Sequence, residues 1–145
     1  MTYALAWPLQ QAVFALLSAD AGVAALAAGR VYDAPPPMPE DATAEPPYAV
    51  IGDESVADWS AADCAGASHV IGVSVFASER SFGEAKRLAG AISDAMAGSA
   101  DGAPSLSRGR IVHVQFLSAR TRREERDRLR RIDLRFRVLV EDDAA

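Results

Sequence analysis

Residues Arg131-Ile-Asp-Leu-Arg-Phe-Arg-Val-Leu-Val140 alternate between charged and apolar side chains for most of their length. A strand with that pattern buries Ile132, Leu134, Phe136, Val138 and Val140 on one face and presents Arg131, Asp133, Arg135 and Arg137 on the other. The sheet that holds it therefore needs one covered side only. His69–Ser78 alternates in the same way, with Ile71, Val73 and Val75 on one face and Gly72, Ser74 and Phe76 on the other. Tyr48–Asp53 reads as a short strand, and Arg110–Leu117 as another, with Val112, Val114 and Phe116 facing one way. Between the first two strands, Glu54–Ala67 is polar and small apart from Trp59, so it reads as a long connection.

The cover comes from helices. Ser81-Phe-Gly-Glu84 matches a capping box, in which serine and glutamate satisfy free backbone donors at a helix start. Phe82, Ala85, Leu88, Ala89, Ile92, Ala95 and Met96 then fall on one stripe, and Gly98 ends it. Near the N-terminus, Pro8 suits a first helical turn and Leu9, Val13, Leu16 and Leu17 recur at helical spacing. Asp20 can cap a second short helix through Leu26, with Gly29 as its terminator. The order is α-α-β-β-α-β-β. It predicts a single α+β domain over 1–145, with a four-stranded, mainly antiparallel sheet and helices on one face.

Two segments stand outside that frame. The proline-rich loop 33–47 cannot run as helix or central strand and favours extended polyproline geometry. It reads either as a connector or as an arm that lies on a neighbouring subunit. The second segment, Arg120–Arg131, carries seven arginines and three acids. As a hairpin tip it is open to three readings: a solvated turn, a set of intersubunit ion pairs, or a clamp on a phosphate backbone. Interleaved acids and the lack of aromatic residues for base stacking weigh against the third. Guanidinium forks that match carboxylates favour the second.

Charge adds to this contrast. The net charge is −5, yet residues 1–107 hold 4 basic and 13 acidic side chains, and residues 108–145 hold 11 and 7. This reads as local fluctuation on a solvated surface, or as a subunit whose two parts attract when copies stand head to tail. The single cysteine, Cys64, cannot form an internal disulfide. There is no apolar run of about 18 residues to span a membrane. No basic residue precedes Arg30, and Gln10 and Gln11 interrupt the N-terminal apolar stretch, which argues against a secretory signal. The expectation is a soluble protein, intracellular when made.

Reactive clusters are missing from the sequence. His69 and His113 fall within strands without a second ligand at metal spacing, and each reads as an ordinary sheet residue. Gly72-Val-Ser-Val-Phe lacks the second glycine of a nucleophile elbow. Neither a phosphate-binding loop nor a G-x-G-x-x-G turn occurs. Asp53, Glu54, Asp58 and Asp63 lack the fixed frame of a calcium loop. No catalytic, cofactor or metal residue is assigned, and the chain reads as non-enzymatic.

Several segments, in order, resemble the tail-completion proteins of long-tailed phages, and most closely the gene transfer agent tail terminators of alphaproteobacteria. They are Gly29-Arg-Val-Tyr-Asp33 followed by prolines, Pro47-Tyr-Ala-Val-Ile-Gly52, the acidic link with Asp58 and Trp59, Phe82-Gly-Glu-Ala-Lys86, and Arg131–Arg137. The resemblance spans about Leu5 to Val140. It implies a virion structural protein that forms a hexameric ring, ends the tail tube and joins it to the head connector. DNA would pass through the ring without sequence-specific binding, and no membrane would be involved. The protein would be cytoplasmic during assembly and afterwards part of the particle. Its partners would be copies of itself, the tail tube protein and the head completion protein, and no cofactor is implied. The candidate contact residues are Arg120, Arg122, Arg123, Arg126, Arg128, Arg130, Arg131, Arg135, Arg137 and Trp59. A nucleic-acid-binding module that uses the arginine-rich hairpin is the alternative.

Overall fold

The computed structural model describes residues 2–33, 47–78, 82–98, 105–124 and 129–143, with Glu124 described by its backbone alone. Its elements are α1 (Ala6–Ala19), α2 (Ala21–Ala27), β1 (Val31–Tyr32), β2 (Tyr48–Asp58), β3 (Gly66–Ser78), α3 (Phe82–Gly98), β4 (Arg110–Glu124) and β5 (Leu129–Glu141). Most of the proline-rich loop, the Ser81 half of the capping box and the tip of the arginine-rich hairpin lie outside the described residues.

The chain is a single α+β domain, but its sheet is five-stranded and mixed, in the order β1-β2-β3-β5-β4. The two antiparallel hairpins of the sequence reading are β2–β3 and β4–β5, joined by antiparallel pairing of β3 with β5. The fifth strand, β1, pairs in parallel with β2 through Val31 opposite Ala49 and Tyr32 opposite Val50. Two residues are too few to show a period, so no alternation announces this strand. Ala49 N–H donates to the Arg30 carbonyl at 3.0 Å and Arg30 Nε donates to the Pro47 carbonyl at 3.0 Å, which fixes the pairing.

The supposed long connection is also corrected. β2 continues to Asp58 past an irregularity between Ile51 and Glu54, and the loop is only 59–65. The second half of β2 is polar because most of it is solvent-exposed, and pairing with β3 holds it. Gly66 lets the loop close: a Cβ there would lie 2.5 Å from the Trp59 carbonyl.

On the covered face, α1 supplies Leu9, Val13 and Leu17, and α3 supplies Leu88, Ile92 and Met96. They pack on Ile71, Val73 and Val75 of β3 and Leu134, Phe136 and Val138 of β5. The α3 stripe is buried as expected, with Phe82 partly so. Asp20 caps α2 through Oδ2, which accepts from Val23 N–H at 3.0 Å. In β4, irregularities between Ile111 and His113 and between Phe116 and Ser118 shift the alternation. Ile111, Val114 and Phe116 share the covered side, where the sequence pattern had placed Val112 with the latter two.

The start of β4 is latched to the end of β5. Arg108 makes a two-pronged ion pair with Asp142, Nε to Oδ1 at 2.9 Å and a terminal nitrogen to Oδ2 at 2.8 Å. That hydrogen bond and the neighbouring acids raise the Arg108 pKa further above its ordinary value. Gly109 N–H donates to Asp143 at 2.8 Å. Gly109 has φ +81°, and a Cβ on it would lie 2.7 Å from the Glu141 carbonyl and 2.8 Å from Leu5 Cδ2. Gly109→Ala is therefore expected to lose about 2–3 kcal/mol of stability, combining left-handed strain with overpacking. Denaturant titration should show a lower midpoint with an unchanged slope.

Candidate assembly face

With the helices on one side, the other side of the sheet is open, and the strand register decides which arginines reach it. Cross-strand partners share a face. Phe76, Ser74, Gly72 and Val70 of β3 therefore stand beside Arg131, Asp133, Arg135 and Arg137 of β5. On the far side of β5, Arg122 faces Arg131, Arg120 faces Asp133, Ser118 faces Arg135 and Gln115 faces Arg137. Five candidate residues, Arg120, Arg122, Arg131, Arg135 and Arg137, are thus gathered on the open face.

The others are not brought together with them. Arg123 and Arg130 oppose each other on the covered side, where the Arg130 guanidinium sits 5.0 Å above the Phe82 ring. Arg126 and Arg128 lie outside the described residues. Trp59 is 41% exposed, but it belongs to the loop before Gly66. That end is ten residues of β3 from Phe76 beside Arg131, roughly 33 Å at the usual strand rise, and four residues, roughly 13 Å, from Val70 beside Arg137.

A shallow hollow of about 470 Å³ lies in the open face, bordered by Gly72, Ser74, Arg120, Asp133, Arg135 and Asp53. Asp133 organises one end of it. Its Oδ1 accepts from Ser74 Oγ at 2.7 Å and from Arg131 Nε at 2.8 Å, and Arg122 Nε stands 3.2 Å from its other oxygen. Arg131 also lies 5.1 Å over the Phe76 ring, which stacks on Tyr48 at 4.9 Å between centroids. Partial burial pushes the Asp133 carboxyl up. The bonds from Ser74 and Arg131, with the charges of Arg131 and Arg122, outweigh this and hold it below the usual carboxylate range. The sequence reading placed Asp133 on this face but missed its role, for which the only signal is its place as the lone acid in a row of arginines.

The linkage has a definite sign. A carboxyl whose folded pKa is depressed contributes stability above its unfolded pKa, near about 3.9, and loses it as the pH falls through the folded value. Asp133→Asn is expected to cost roughly 1 kcal/mol at neutral pH, the carboxylate being partly solvent-screened. The gap from the parent protein should close below about pH 4, read by thermal or denaturant unfolding across pH.

Arg120, Arg135 and Arg137 differ from this network. None of them makes an ion pair with any described residue, and Arg120 and Arg135 are exposed. The open face therefore offers three guanidiniums without ion pairs to described residues, beside a cluster of two arginines on one carboxylate, a surface suited to carboxylates or phosphates.

His69 is a second feature not seen from sequence. It shares a face with Ile71, as read, but it is fully buried with neither ring nitrogen hydrogen-bonded, and Glu54 Oε2 lies 3.5 Å from Nδ1. No group of three or more histidine, cysteine or acidic side chains among the described residues is placed to hold a metal. No single described helix is long and apolar enough to cross a membrane.

The family model for the tail completion protein gp17 matches residues 11–141. The chain belongs to that family. A solved chain from the virion of a native gene transfer agent particle is similar to it with a TM-score of 0.80 and 46% identity. The match covers 97% of this chain and 99% of that one. No curated protein matches. Membership of the tail completion family makes this a structural virion protein and not an enzyme.

Proposed function

We propose that the chain is the tail terminator of a gene transfer agent particle, the whole of 1–145 serving as one terminator domain. Copies close into a hexameric ring at the head-proximal end of the tail tube. The ring stops tube growth and offers its outer surface to the head completion protein, while DNA passes through the central opening without sequence-specific contact. The subunit is made in the cytoplasm and ends in the particle. The observation that carries this reading is the 46% identity to a gene transfer agent virion chain, sustained over 97% of one chain and 99% of the other.

The physics is compatible. A heterologous interface closes into a ring when its rotation divides the circle. The acidic surplus before residue 107 and the basic surplus after it suit head-to-tail contact. The open arginine face is the contact surface for an acidic neighbour, whether another subunit or the tube. Electron microscopy of the purified protein should show six-fold rings, or rings only on added tube ends. Deleting the gene should leave tails of uncontrolled length or tails without heads; normal particles from the deletion strain would refute the proposal.

A further inference from the structure

Two exposed apolar patches lie on different elements of the subunit. The first is the outer side of α1. Asp20 is the only charged side chain in residues 1–29. Tyr3, Trp7 and Phe14 are 67%, 60% and 38% exposed. Trp7 and Phe14, seven residues apart, share one stripe of α1, and Tyr3 lies in the turn just before it. With Gln10, Gln11 and Asp33, the last just beyond β1, Trp7 and Phe14 border a hollow of about 370 Å³. An uncharged helix surface with two exposed aromatic rings, and a third in the turn before it, is the composition of a buried interface core.

The second patch lies between α3 and β4. α3 packs over β3 and β5, and the outermost strand, β4, overhangs it. Phe116, on the covered side of β4, is consequently 50% exposed. Beside it, Ala89 and Gly90 of α3 and Ala119 of β4 form a mostly apolar groove of about 260 Å³, with Lys86 at its rim. A Cβ on Gly90 would meet nothing within 4 Å, so the groove floor is bare.

One patch projects large rings and carries an acid; the other is recessed, lined by small residues and carries a lysine. We infer that the α1 aromatic stripe of one subunit seats in the α3–β4 groove of the next copy, with Asp33 paired to Lys86 across the junction. The inference rests on the ring reading above and specifies which surfaces mate. Because the two patches differ, the contact is heterologous and repeats head to tail. Trp7 is the anchor, a large ring entering a pocket at the centre of the contact.

The test uses the full chain, with a photoreactive phenylalanine analogue at position 14 and a mixture of isotopically light and heavy copies. Crosslinks from position 14 to peptides holding Lys86–Ser93 or Phe116–Thr121 of another copy are expected. In parallel, Trp7→Glu with Phe14→Glu should weaken ring assembly at least tenfold, as judged by sedimentation. Circular dichroism should be unchanged, both side chains being at the surface. Asp33→Lys and Lys86→Asp should each weaken assembly, and the two together should restore it.

Rings that form equally well with both glutamates would overturn the inference and leave the ring reading standing. Crosslinks confined to one chain, falling in 34–46, would overturn it by assigning the hollow to the chain's own proline-rich segment. Crosslinks to tube protein alone would assign it to the tube. A parent protein that makes no ring, alone or on tube ends, defeats the ring reading first and this inference with it.

Discussion

Phe136→Ala is expected to remove about 3–5 kcal/mol of folding stability. Phe136 is 1% exposed on β5, opposite Ile71 on one side and Phe116 on the other. Its ring meets Phe116 edge to face, with centroids 5.9 Å apart and planes at 69°. Truncation removes the buried ring and leaves a cavity between β5 and α3 that interdigitated neighbours fill only partly. Against a total stability of about 5–15 kcal/mol for a domain of this kind, that is a large share. Phe136→Leu keeps much of the volume and should cost under about 2 kcal/mol. Phe116→Ala, losing a half-exposed ring, should cost about 1 kcal/mol. Urea titrations of the three variants give the order directly. A loss below about 1.5 kcal/mol for Phe136→Ala would mean that the core collapses around the vacancy.

The elements that could be read from sequence are those whose burial is periodic. α3 shows its stripe from Ala85 to Met96 because each of those residues meets the sheet, and β5 shows its alternation because only one of its faces does. Where burial is not periodic, the pattern fails. β1 is too short to have a period, and the far half of β2 lies mostly in solvent, so its residues resemble those of a loop. The irregularities in β4 displace the register by backbone geometry, which side-chain identity does not record.

The same limit applies to the candidate site. Seven arginines within Arg120–Arg131 look like one patch in the sequence. Strand alternation splits them, sending Arg120, Arg122 and Arg131 to the open face and Arg123 and Arg130 to the helix side. Arg135 and Arg137, which stand outside that segment, complete the open face because they sit two and four residues after Asp133 on the same strand. Trp59 carried a signal of type but none of place, and the fold sets it at the far end of β3.

That division decides which charges to reverse. Arg122 and Arg131 hold Asp133, so replacing them would disturb the sheet and confound any loss of assembly. Arg120, Arg135 and Arg137 make no ion pair with described residues, and reversing them tests the open face with modest cost to the fold. The combined Arg120→Glu, Arg135→Glu and Arg137→Glu variant should stay folded at a cost of about 1–2 kcal/mol, because Arg120→Glu sets a carboxylate across from Asp133. If the open face meets an acidic partner, each reversal places like charges in contact. The expected loss of about 2–5 kcal/mol lowers incorporation into particles by tenfold or more. Arg123→Glu, on the helix side, should have little effect on incorporation. A nucleic-acid role for the same face makes a different forecast: the parent would bind duplex DNA with a steep salt dependence, and the variant would not. Normal incorporation of the triple variant, with the fold intact, would show that these guanidiniums are solvated and that the contacts of the ring lie elsewhere, as at the patches that hold Trp7 and Phe116.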